Sequence, residues 1–177
     1  MYQSLNNTGF FLINSIFDLY LMILCVRLIL AYSKANYFNP ITRFIIVLTQ
    51  PVIAPVRQYI PNYKRLETST LLFMLALSIL KIAIISYLFS NIPSVQILII
   101  AGFLECVKLI LNTLFYSILI AAILSFFSPQ ETPLTQILSQ ITSPILRPFQ
   151  RLIPPVSGFD LSPIPVLLLL QILIRLI

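Results

Sequence analysis

Two stretches of this chain are one pattern written twice. TQPVIAPVRQYIP begins at Thr49 and TSPILRPFQRLIP begins at Thr142, 93 residues later. The alignment needs no gap: Pro40 falls on Pro133, Thr42 on Thr135, Pro51 on Pro144, Pro55 on Pro148, Ile60 on Ile153 and Pro61 on Pro154. The acidic Glu67 lands on Asp160. Seven identities in the 23 positions from 39 to 61, four of them proline, exceed what shared apolar composition produces. One unit is therefore used twice, and a fold for one half has to serve the other. The second copy is rich in proline: Thr142 to Pro165 holds six prolines, two arginines and one aspartate, directly ahead of an apolar run.

The chain is 59% hydrophobic and 9% charged, whereas an average soluble domain carries roughly 25% charged residues. A water-soluble fold of 177 residues would expose much of that apolar surface, so the chain reads as a membrane protein. Its net charge of +6 is spread thinly beside apolar runs, with no basic helix or aromatic–basic platform, which argues against nucleic acid. The positive charge instead suits topology and contact with anionic lipid headgroups. There is no histidine, which removes the commonest general base and metal ligand. Cys25 and Cys106 lie in apolar segments and form no CxxC, so they read as small buried hydrophobes. No cofactor, metal site or small-molecule substrate is expected.

Four apolar runs define the expected spans. The first, Gly9 to Tyr32, reaches ~36 Å at ~1.5 Å per residue, enough to cross a ~30 Å hydrocarbon core. It has no basic leader and no small-x-small cleavage site, so it is expected to be retained rather than removed as a signal peptide. It contains Asn14, Asp18 and Arg27; Arg27, near its end, is expected to snorkel to the headgroups. The second span is expected over 69–90, interrupted by Lys81, with a tight turn at 91–94. Val95 to Phe127 is longer than one perpendicular crossing needs, so the third span is placed at 105–127, with tilt or an interfacial lead-in accounting for the rest. The fourth, Pro163 to Ile177, is short at about 15 residues, so a full crossing is expected to draw on residues from about Phe159, giving 159–177.

The connections at 33–68 and 128–158 are too punctuated to span. Asn39-Pro40 and Thr132-Pro133 read as helix starts, a capping side chain followed by proline at the first helical position. Pro51 lacks the N–H that continues a helical ladder, so Pro40 to Pro61 is expected as helix–kink–helix, lying in the headgroup layer or dipping into it. The first connection carries five Lys/Arg, and that from 128 to 162 carries Arg147 and Arg151. By the positive-inside rule both connections face the cytoplasm and both termini lie outside.

The expected fold is an all-α membrane protein with four transmembrane helices as two parallel two-helix repeats. Repeat one is 1–94 and repeat two 95–177, related by a pseudo-twofold along the membrane normal. With that topology Asp18 lies ~12 Å and Lys81 ~13 Å below the outer ends of their spans. Glu105 and Lys108 enter from the same side one turn apart, with Asn112 on the same face. A lone charge at mid-membrane costs at least ~2.5–3.5 kcal/mol, so Asp18, Lys81, Glu105 and Lys108 should face inward and pair, Lys81 with Asp18 or Glu105. This cluster is either a structural clasp between helices or part of an ion or proton path.

Arg57, Arg147 and Arg151, framed by Pro51, Pro55, Pro61, Pro144, Pro148 and Pro154, form candidate docking surfaces for lipid phosphate or a protein partner. They equally fit a plain role as helix stops and anchors. Glu67 and Asp160 stand just ahead of spans, where an acid complements a helix N-terminus. Nothing resembles a nucleophile elbow, a phosphate-cradling loop or a metal site, so no enzyme is expected.

The twofold proline–arginine pattern, together with DLYLMILCVRLIL in the first span, resembles the YggT family of integral membrane proteins, in its two-repeat bacterial form. The resemblance covers nearly the whole chain, although relatives usually continue further past the fourth span. It implies a multi-pass inner-membrane protein linked to osmotic-shock resistance and potassium uptake, or to division-site and nucleoid organisation. Chloroplast relatives imply a link to cytochrome maturation. It supplies no catalytic residue. The expectation is a non-enzymatic factor for membrane or envelope complex assembly, with a membrane-protein partner or a second copy. The alternative is a subunit of a potassium transport system.

Overall fold

The computed structural model describes residues 2–63, 66–88, 93–127, 131–152 and 160–177, with side chains from Gly9 onward. Helices account for nearly all of this. They are α1 (Tyr2–Tyr32), α2 (Pro40–Tyr59), α3 (Thr68–Leu88), α4 (Val95–Phe127), α5 (Pro133–Leu152) and α6 (Pro163–Leu176). An isolated bridge between Tyr63 and Leu66 is the one β-type pairing among the described residues.

Three stretches are long and apolar enough to cross a membrane: Gly9–Tyr32 in α1, Thr68–Leu88, and Val95–Ser125 in α4. The third is unbroken helix from Val95, so the lead-in before Glu105 continues the span's own helix. The fourth expected span differs. Its helix starts at Pro163, and α6 has 14 residues, a reach of ~21 Å against a ~30 Å core. Phe159, where a longer helix would have begun, lies outside the described residues, as do residues 91 and 92 of the expected 91–94 turn. Large apolar side chains such as Phe11, Ile16, Leu19 and Phe103 stay exposed along the spans, as lipid-facing positions would.

α4 packs against α1, α3, α5 and α6, while α2 lies across α1, α3 and α5. One core joins Leu24, Cys25, Leu28, Met74, Cys106 and Ile141; a second, smaller one joins Ile118, Leu146, Val166 and Leu170. The α3–α4 contact is close at Gly102, where an added Cβ would meet the Ile79 Cγ1 at 2.5 Å and its backbone N at 3.3 Å. Gly102→Ala is therefore expected to cost about 1–3 kcal/mol by overpacking. Thermal unfolding in detergent of this variant beside Gly9→Ala, where nothing lies within 4 Å, checks it; equal midpoints would refute it.

Both proline-bearing helices, α2 and α5, start where the sequence placed them. The Asn39 side chain accepts from the Ile41 N–H at 3.0 Å. At the other start, the Thr132 hydroxyl accepts from the Thr135 N–H at 3.2 Å while the Thr135 hydroxyl accepts from the Thr132 N–H at 2.8 Å, a reciprocal cap. The two starts also touch, because Asn39 Nδ2 donates to the Pro133 carbonyl at 2.7 Å.

The connection expected as helix–kink–helix from Pro40 to Pro61 is helical for 20 residues without a break, from Pro40 to Tyr59, running through Pro51 and Pro55. α5, also 20 residues, runs through Pro144 and Pro148. Each proline withdraws one N–H from the carbonyl four residues earlier. All four prolines lie on exposed faces, where those carbonyls can find water or headgroups. The opposite face buries Thr49 and Ile53 in α2, and Thr142 and Leu146 in α5. That packing holds the helix where local propensity would end it. Pro61 lies beyond α2, and its carbonyl accepts from the Thr68 hydroxyl at 2.7 Å. Pro154 lies outside the described residues.

Candidate functional site

Two polar clusters centre on cations of the first half of the chain, Lys81 and Arg27. In the first, α3 carries Lys81 to the junction of α1 and α4. Its ammonium donates to Asp18 Oδ1 and to Glu105 Oε1, each at 2.5 Å. The Lys81 side chain is 7% exposed, Glu105 26% and Asp18 47%, so the cation sits inside and the carboxylates close over it. Both partners that the spacing suggested are taken at once. Asn14, one turn before Asp18, adds a bond from its Nδ2 to Asp18 Oδ2 at 2.9 Å; only its polarity and its spacing of four from Asp18 signalled this. Beside the clasp the Ser78 hydroxyl and the Cys106 thiol meet at 3.3 Å.

Lys108 and Asn112 do not join. Lys108 is exposed with no ion pair among the described residues, and Asn112 Nδ2 donates to the Lys108 carbonyl at 2.9 Å. Three residues along a helix is about 60° around its axis. With Glu105 turned to Lys81, that rotation carries Lys108 outward. The expected neutral foursome is thus a triad of two carboxylates and one ammonium, and Glu105 Oε2 is buried without a hydrogen-bond partner.

The second cluster centres on Arg27, which was expected to snorkel. It is 4% exposed and bonded on three sides. Its Nε donates to Glu67 Oε2 at 2.9 Å, Nη1 to the Thr49 hydroxyl at 2.7 Å and Nη2 to Gln50 Oε1 at 3.2 Å. Burial is favourable because the guanidinium's donors are met by acceptors from α2 and the start of α3. Glu67 also accepts from Arg57 Nη2 at 2.7 Å and from the Thr70 hydroxyl at 2.8 Å. Its carboxylate therefore serves two arginines instead of capping backbone N–H groups. Partial burial, the largest single influence, pushes the Glu67 carboxyl up, but the bonds from Arg27 and Thr70 and the charges of Arg27 and Arg57 together hold it below its ordinary value. Arg57, read as a docking residue, is in this way committed to an internal pair.

In the second half, Asp160 Oδ1 accepts from the Ser162 N–H and Oδ2 from Gln150 Nε2, both at 2.8 Å. Gln150 and Asp160 are the counterparts of Arg57 and Glu67, so the pairing recurs without its charge. Arg147 and Arg151 are exposed on α5 and have no ion pair among the described residues. No group of three or more His, Cys, Asp or Glu suited to a metal ion occurs among the described residues.

Comparison with known proteins gives one consistent answer. The family model CCB3/YggT matches residues 6–88 and again 100–177. A protein encoded in the proC 3′ region of Vibrio alginolyticus is 37% identical over 159 residues, covering 88% of this chain and 85% of its own. The YggT protein of Escherichia coli K12 is 34% identical over 167 residues, 94% of this chain and 87% of its own. A Haemophilus influenzae relative is 33% identical over 171 residues, 97% and 91% respectively. No solved structure matches. With a family model covering most of the chain and relatives similar from end to end, this chain belongs to the CCB3/YggT family.

Proposed function

We propose that the protein is a non-enzymatic integral factor of the bacterial inner membrane, which supports the assembly or organisation of membrane complexes and, through them, tolerance of osmotic stress. It crosses four times as two parallel repeats, with α2 and α5 in the cytoplasmic headgroup layer and both termini outside. Several observations support the repeat. The helices α2 and α5 have the same length and start on matched prolines, and the family model matches one stretch in each half. α6 completes the second pair, its short reach met by local thinning of the bilayer.

The observation that carries this reading is Lys81, enclosed between Asp18 and Glu105 at 2.5 Å from each. A cation fixed by two carboxylates ties three helices together, as a polar clasp between membrane helices does. Purified protein in potassium-loaded liposomes should show no more flux than protein-free vesicles. Flux that Asp18→Asn abolishes would overturn the reading in favour of transport.

The docking surface is the exposed face of α5. Arg147 and Arg151 are four apart, hence on one side of the helix, and face the phosphates of anionic lipid. Native mass spectrometry from phosphatidylglycerol nanodiscs should show less retained lipid on the Arg147→Glu/Arg151→Glu variant than on wild type. Equal retention would remove the surface from the proposal.

A further inference from the structure

The two halves each carry a cavity at the junction of their first span and interfacial helix, and the two are counterparts in the 93-residue register. The first, of 270 Å³, is lined by residues including Ala31, Thr42, Ile45, Ile46 and Glu67. The second, of 410 Å³, is lined at the matching positions by Leu124, Thr135, Leu138, Ser139 and Asp160. What differs is the cation. Arg27 and Arg57 line the first cavity; their counterparts in the second half are Ile120 and Gln150, neither of which is charged.

The larger cavity nevertheless keeps counterparts of two of the three acceptors that hold Arg27 in the first half. Asp160 stands for Glu67, and two of its lone-pair sites remain open after the bonds from Ser162 and Gln150. Thr142 stands for Thr49, whose hydroxyl accepts from Arg27 at 2.7 Å. Thr142 is 3% exposed and lines the cavity, and its hydroxyl has no partner among the described residues. Glu131 lines the same cavity, and no lysine or arginine pairs with it or with Asp160 among the described residues. The neighbouring stretches 128–130 and 153–159 contain no basic residue. Thr142 and Asp160 therefore lack the group that their counterparts Thr49 and Glu67 enclose, and the exposed Glu131 adds a second negative charge at the same cavity.

We propose that this cavity binds a guanidinium group, the side chain of an arginine presented by another polypeptide, which occupies in the second half the place that Arg27 occupies in the first. This goes beyond the lipid-facing role of Arg147 and Arg151 and survives if that role fails, because the cavity stands on residues other than these arginines. Planarity sets guanidinium apart from ammonium here, since its fork can meet a carboxylate and a hydroxyl together.

The test is calorimetric titration of the full-length protein in detergent with ethylguanidinium chloride, which carries the side-chain chemistry alone. Wild type should bind it saturably, at least tenfold more tightly than Asp160→Asn and several-fold more tightly than Thr142→Val. Ethylammonium should bind more weakly than ethylguanidinium. Affinity unchanged in Asp160→Asn, or equal affinity for the two cations, overturns the proposal. Binding that appears only with free L-arginine amide, and not with ethylguanidinium, would make the cavity a small-molecule site and exclude a partner's side chain. Unaltered circular dichroism and melting of both variants show that a loss is not unfolding.

Discussion

Replacing Arg27 with alanine is expected to destabilise the protein by about 3–5 kcal/mol, because it strands Glu67 as a buried charge with one remaining cation and leaves Thr49 and Gln50 without their donor. Arg27→Lys is expected to recover little. An ammonium on a flexible stem cannot reach Glu67, Thr49 and Gln50 together as the planar fork does. Unfolding by sodium dodecyl sulfate titration in mixed micelles measures both, and a loss below 1 kcal/mol for the alanine variant would show that the network contributes little. The same network makes the fold acid-sensitive. Glu67 has a folded-state pKa below its ordinary 4.5, so its contribution is fully present above that value. The contribution is lost as pH falls through the lower folded value. Glu67→Gln should be less stable at pH 7 and should show a weaker dependence on acid.

Lys81→Met is the second large effect. It leaves Asp18 and Glu105 facing one another without their shared cation, and an uncompensated charge at this depth costs about 2.5–3.5 kcal/mol. The double change Asp18→Asn with Glu105→Gln in the Lys81→Met background should therefore restore most of the loss, even though it removes every charge of the clasp. No recovery in that triple variant would mean that Lys81 matters through packing alone. Lys108→Met, by contrast, removes an exposed side chain and should leave the midpoint unchanged.

How much of this was legible depended on whether the partner was local. The start of α2 at Asn39-Pro40 and the start of α5 at Thr132-Pro133 were readable because the cap and the helix are neighbours in sequence. The pairing of Lys81 was readable for another reason: a charge deep in an apolar run must find an opposite one, and few were available. Arg27 was misread because its position near a span end suggested water. Its acceptors, Thr49, Gln50 and Glu67, lie 22, 23 and 40 residues away, and no local rule connects them. Pro51 and Pro55 interrupt a helix by local preference, yet burial of Thr49 and Ile53 on the opposite face keeps it continuous, and that burial depends on distant partners. The start of α6 at Pro163 was legible for the same reason as those of α2 and α5, a proline at the first helical position.

One bond has a mechanical meaning. The Asn39 side chain accepts from α2 through its oxygen and donates through its nitrogen to the Pro133 carbonyl at the head of α5. A single amide thus couples the origins of both surface helices, and Asn36, whose N–H donates to Gln140 Oε1 at 3.0 Å, braces it. Separating the two helix starts would require breaking this hydrogen bond, which ties α2 to α5 where both begin.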